Sequence, residues 1–178
     1  MGCHSVFHGR GAKEFLRYLC LCALLLVPAT VLADEGEAPA LAGKWTATDP
    51  PINFAHIAFG EINRHGEAVG YHHRANGVDP PSARVLRIVQ PPDRDGVYRA
   101  QVAIGDSTTG AWVRKKAPST FFPDAMSDKA VIDAVLAAFH EGHRRRDGQF
   151  VGESGHNFMV EGWYQSGRIV AAYPLRGP

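Results

Sequence analysis

Beyond residue 33, one stretch of this 178-residue chain repeats its apolar residues with the period of a helix: SDKAVIDAVLAAFHEGHRRR, residues 127–146. Val131, Ile132, Val135, Leu136 and Phe139 fall on a single face. Ser127 is the expected N-cap, Asp128 suits the first turn, and His143 to Arg146 suit the negative end of the dipole, with Gly148 as the stop. Everything around this segment reads as short strands. Phe54 to Ile62 and Ala68 to His73 flank the turn NRHG and are expected to pair as a hairpin. VLRIVQ (85–90), VYRAQVAI (97–104) and AWVRKK (111–116) follow, and HNFMVEGWYQSGRIVAAYPL (156–175) reads as two strands joined near Gln165 to Gly167. The pattern predicts an α+β domain, mostly antiparallel, with one packed helix.

The ends of the chain narrow its surroundings. Arg10, Lys13 and Arg17 precede the apolar run YLCLCALLLVPATVLA, which gives way at once to DEGE. This order predicts a secretory signal over residues 1–33, cleaved after Ala33, and a destination outside the cell or in the periplasm. The apolar run is shorter than the roughly 20 residues of a membrane-spanning helix, so no stable membrane association is expected after cleavage. Residues 34–51, rich in Ala, Pro, Gly and acidic side chains, read as a flexible lead-in with a short ordered piece around Trp45, and the domain proper is expected over 52–178.

All three cysteines (Cys3, Cys20 and Cys22) lie in the leader. The exported part therefore has no disulfide, no thiolate nucleophile and no Cys-type zinc site, and must stand on its hydrophobic core. Three of the nineteen basic residues and one of the eighteen acidic residues also lie in 1–33, which leaves sixteen against seventeen. That balance argues against wholesale electrostatic capture of nucleic acid.

Four of the nine histidines crowd into FAHIAFGEINRHGEAVGYHHR, residues 54–74. A zinc site is not indicated. His72 and His73 are adjacent and would face opposite ways on a strand, and His140 and His143 are three apart, not the four of HExxH. Two imidazoles without a metal suit paired proton transfer near neutral pH, with His56 and His72 in one cleft.

Four motifs in order strengthen that reading. HIAFGEIN followed by GYHH puts His56 before Gly60-Glu61 and His72 after Gly70-Tyr71; KKAPSTFFP and the closing GRIVAAYPL come next. Together, from Phe54 to Leu175, they resemble the EndoU endoribonucleases, and the FFP form and compact length look most like the bacterial branch, often found as the toxic tip of exported toxins. The resemblance implies two antiparallel sheets with helices packed outside and the histidines in the cleft, an RNase A-like toxin architecture. It also implies RNA cleavage, often at or near uridine, to a 2′,3′-cyclic phosphate, with RNA as substrate and an immunity protein as a further partner. By the same resemblance His72 is the base, His56 the acid and Lys116 the cation, with Lys115 as its alternative by a one-residue slip. Thr120, with Ser119 as the alternative, orients the base, and Tyr173 stacks on the nucleotide. Ala171 stands where relatives often carry a hydroxyl, a departure that removes a contact to ribose or base. The scheme itself calls for no metal, although some relatives of this family depend on manganese. The competing expectation is a catalytically inactive secreted domain of the same fold that binds RNA or a protein.

Overall fold

The computed structural model describes residues 41–177, and the expected leader lies outside the described residues. In chain order the elements are β1 (Leu41–Ala42), β2 (Trp45–Thr46), α1 (Phe54–Ala58), β3 (Glu61–Ile62), β4 (Ala68–Val69), β5 (Ala83–Gln90), β6 (Tyr98–Gly105), β7 (Trp112–Arg114), β8 (Ser119–Phe121), α2 (Asp128–Glu141), β9 (His143–Arg144), β10 (Gln149–Glu153), β11 (Met159–Gln165) and β12 (Arg168–Leu175). Two antiparallel four-stranded sheets dominate. One runs β12-β11-β10-β9; the other centres on β6, flanked by β5 on one side and by β7 and β8 on the other. The α+β class expected from the pattern is the class observed. Among the described residues no helix is long and apolar enough to cross a membrane.

Helix α2 forms where its period placed it. The Ser127 hydroxyl accepts from the Ala130 amide, and Val131, Ile132, Ala134, Val135, Ala138 and Phe139 are buried. It ends at Gly142, not at Gly148, so His143 and Arg144 do not cap the dipole. They form β9 beside β10, and the Arg144 guanidinium lies 4.7 Å over the Phe139 ring. The reason is packing: the helix rests directly on the β10 backbone, and a Cβ on Gly152 would stand 2.1 Å from the Ala138 carbonyl oxygen. Gly152→Ala must push helix and strand apart, an overpacking cost of about 1–3 kcal/mol. We expect its thermal midpoint to fall by about 3–10 °C in a calorimetric scan.

The expected strand over Phe54 to Ile62 is corrected to helix α1 followed by the two-residue β3. The Asn53 side chain accepts from the His56 amide, and Phe54, Ile57 and Ala58 are buried at i, i+3 and i+4. A single turn is too short to reveal its period against an apolar run. The hairpin around NRHG is present but short: β3 pairs with β4, and Asn63 Oδ1 accepts from the His65 and Glu67 amides. Part of the expected flexible lead-in is built into the domain. β1 and β2 pair, and the buried Thr46 hydroxyl accepts from the Ile52 amide.

Two apolar clusters meet at β8. One lies between α2 and the β9–β12 sheet and includes Phe54, Ile57, Phe139, Phe150 and Ile169. The other lies on one face of β6 and gathers Tyr71, Tyr98, Ala100, Val102 and Ile104. Phe121 enters the second cluster and Phe122 the first. Adjacent residues of an extended chain point to opposite sides, so this Phe-Phe pair pins the end of β8 between both cores.

Candidate active site

Backbone hydrogen bonds of α1 assemble the histidines. A helix this short leaves its last carbonyls without helical partners. The His56 carbonyl accepts from the Tyr71 amide at 2.9 Å, and the Ile57 carbonyl accepts from the His72 and His73 amides at 2.6 and 3.1 Å. The Phe122 amide donates in turn to the His72 carbonyl at 2.8 Å, which ties the loop to β8. Gly70 makes the approach possible. Its φ is +74°, and a Cβ there would stand 2.3 Å from the His56 carbonyl oxygen.

Beyond Gly70 the two histidines of GYHH diverge. His72 turns toward His56, with ring centroids 6.3 Å apart, and stacks on Tyr173 at 5.2 Å with planes 26° apart. His73 turns the other way, against Phe54, and its Nε2 pairs with the carboxylate of Asp128 at 3.0 Å.

The hydrogen bonds fix the tautomers. A carbonyl only accepts, so His72 Nδ1 donates to the Thr120 carbonyl at 2.8 Å and Nε2 keeps its lone pair. His56 Nδ1 lies 3.1 Å from the Glu61 carboxylate and donates to it, which leaves His56 Nε2 free as well. Burial pushes the His72 imidazole well below the ordinary value of 6.5, and the Lys115 charge lowers it further. His56 is also lowered by burial, but Glu61 works in the opposite direction and favours its protonated form.

The lysine beside this pair is Lys115. Its ammonium donates to the Gly70 carbonyl at 2.9 Å and to Ser119 Oγ at 2.8 Å, and burial lowers its pKa to about 8. Lys116, the expected cation, is 83% exposed and pairs with Glu67, not with the groups around His56 and His72. The reason lies in the strand. The Lys115 amide still donates to the Val102 carbonyl, so Lys115 continues the alternation of β7 and faces inward like Val113, while Lys116 faces solvent.

Ser119 is buried and holds Lys115, not a histidine. Thr120 does contact His72, through its backbone carbonyl. Tyr173 lies on β12 opposite Glu161, its hydroxyl pushed up to about 12 by burial and by that carboxylate. Ala171 sits two residues before it, opposite Trp163. His140 and His143 are exposed on the last turn of α2 and on β9 and do not join the cluster.

Glu61 was legible only as part of a Gly-Glu pair; its role beside His56 depends on the turn at Gly60 and carries no sequence signal of its own. For manganese, the donor set does not fit. Among the described residues no group of three or more His, Cys, Asp or Glu side chains converges as an ion would require. What remains is two imidazoles, each offering Nε2, with a buried ammonium beside them. Such a set can remove a proton, deliver a proton and hold negative charge around one small anionic group.

The model of the family described as bacterial EndoU nuclease matches residues 51–176. A curated Bacillus cereus protein named Toxin is 26% identical over 126 residues, covering 70% of this chain and 22% of that protein. The chain thus spans only about a fifth of the curated relative it matches. No solved structure matches.

Proposed function

The chain belongs to the bacterial EndoU nuclease family, and from that premise we propose that it is an endoribonuclease cleaving RNA at or near uridine without a metal. His72 Nε2 takes the proton of a ribose 2′-OH. The 2′-oxygen forms a bond to the adjacent phosphorus, the bond from phosphorus to the 5′-oxygen breaks, and His56 Nε2 gives that oxygen a proton. The products are a 2′,3′-cyclic phosphate and a 5′-hydroxyl. Lys115 offsets the charge gathering on the phosphoryl oxygens, and Tyr173 stacks against the base. DNA, lacking the internal nucleophile, is not a substrate.

The observation that carries this reading is the pair of imidazoles 6.3 Å apart, each with Nε2 free. The direction of proton transfer follows from their surroundings. His72, more deeply buried and lacking a carboxylate, stays neutral over a range in which His56, held by Glu61, carries a proton. Base and acid are then both in their working forms.

This assignment fixes a pH profile. kcat/KM rises as His72 loses its proton, falls as His56 loses its own, and so peaks below pH 6.5, since both groups titrate below that value. Glu61→Gln removes a group that raises His56. The falling limb should then move to lower pH, with less activity at neutral pH, each pKa unit of that movement being about a factor of ten in the protonated fraction. A pH–rate series on both proteins checks this.

The toxin-named relative supports a toxic role, for which an immunity protein would be the partner; export to the medium or periplasm rests on the basic residues and apolar run of 1–33 alone. The decisive experiment is end-group mapping of RNA incubated with the purified protein in EDTA. Cyclic-phosphate ends support the reading. RNA retained intact would overturn it in favour of a binding domain of the same fold.

A further inference from the structure

The sheet built on β6 has a second face, and its chemistry differs sharply from the first. Tyr98, Ala100, Val102 and Ile104 occupy the apolar side, so Arg99, Gln101, Ala103 and Gly105 occupy the other. Residues directly opposite one another in a ladder share a face. The register therefore sets Arg84 and Arg114 on either side of Ala103, Arg87 beside Gln101, and Thr120 beside Arg99. Four arginines stand on one face around a floor of Ala103 and Gln101, which are only 3% and 5% exposed.

Among the described residues no carboxylate pairs with them. β5 to β8 contain no Asp or Glu, and among the described residues none of the four arginines forms an ion pair. In a chain of near-zero net charge that is a segregation of charge, not a general excess. The Arg84 guanidinium carbon lies over the Trp112 ring, 4.0 Å from its centroid, and Trp112, set on the same face opposite Gly105, is 42% exposed. The row that ends this face also reaches the site, since Thr120 stands beside Arg99 and its carbonyl holds His72.

We propose that this face is an RNA-binding track for the strand beyond the scissile nucleotide, with phosphates on Arg84, Arg87, Arg99 and Arg114 and a base against Trp112. The proposal rests on the endoribonuclease reading for what the strand is. Single-stranded RNA fits because its binding needs spaced cations and an aromatic surface, and the face supplies both. A protein partner would need a buried apolar centre; of the residues that the register sets here, Trp112 is the one large apolar side chain, too little for such a centre.

The test compares R84Q/R87Q/R114Q with the unaltered face, both in a His72→Ala background that keeps RNA intact. The probe is a labelled RNA of about 16 nucleotides titrated across a salt series. Loss of three phosphate contacts should lower the slope of log affinity against log salt by about 2 and weaken binding about 10²-fold near 0.1 M salt. The corresponding triple lysine variant should keep the slope, because it keeps the charge. With active His72, KM for that RNA should rise more than KM for a dinucleotide. Unchanged affinity and slope in a triple glutamine variant that keeps its thermal midpoint would overturn the track. So would polyglutamate binding as tightly as RNA and being lost in the same variant, since the face would then serve an acidic polypeptide. Arginine-dependent binding of RNA that the wild-type protein never cleaves would leave this face standing and remove the nuclease reading instead.

Discussion

Replacing His72 with alanine is expected to lower kcat/KM for RNA by about 10⁴-fold, the upper range for loss of a general base. Among the described residues His72 Nε2 has no hydrogen-bond partner, while Nδ1 is committed to the Thr120 carbonyl, so Nε2 is the nitrogen that takes the proton. His56→Ala should be comparably damaging on RNA. The two separate on a uridine 3′-phosphodiester with a 4-nitrophenolate leaving group, which departs without a proton. On that substrate His56→Ala should recover most of the wild-type rate and His72→Ala should not. The opposite pattern would exchange the roles of acid and base.

His72→Ala should also change the dependence of stability on pH. In the folded protein the imidazole titrates well below 6.5, so below that pH the unfolded chain binds more protons than the folded one. Stability is therefore present in full above pH 6.5 and is lost as pH falls through the window beneath it. Without His72 that contribution disappears, and the acid side of the stability curve should flatten. Thermal midpoints measured across the acid range read this independently of activity.

Lys115→Ala is expected to lower kcat by about 10²–10³-fold, the loss typical of one charge-stabilising donor. Lys116→Ala should stay within about twofold of wild type, since it removes only an exposed ion pair with Glu67. The fold should survive the first change, because Ser119 Oγ still lies 3.1 Å from the Gly70 carbonyl and can donate to it. A pH series on the wild type adds a second signature. The Lys115 charge, lost above pH of about 8, should steepen the decline on the alkaline side. Single-turnover rates of both alanine variants decide the matter: a loss at Lys116 and none at Lys115 would show that the buried ammonium is a packing group.

Much of this architecture is legible in the order of the residues. The α2 helix announced itself because four turns repeat one apolar face, and β11 and β12 because a short turn separates two strand-like runs. The helical state of Phe54–Ala58 did not, since five residues offer a single turn and their burial on several sides hides the amphipathic pattern. The inward placement of Lys115 and the outward placement of Lys116 were hidden for a related reason. Strand alternation decides which of two adjacent lysines faces inward, and that parity is fixed only by how β7 is registered against β6. The arginine face was invisible too, because its members are scattered from Arg84 to Arg114 and meet only through the ladder.

The sequence by itself determined which groups the protein owns: two histidines sixteen positions apart, a lysine pair before Ser-Thr, a tyrosine before Pro174, and no cysteine after Cys22. It also determined the class of fold, because apolar periodicity is a local property. Tertiary structure alone decided how those groups are used. The carbonyls of α1 drew the His72 loop onto His56, the Thr120 carbonyl and the Glu61 carboxylate set the two tautomers, and burial lowered both imidazoles and the Lys115 ammonium. Proton affinity depends on solvent exclusion and on neighbours brought from distant positions, and neither is written in the order of residues along a chain.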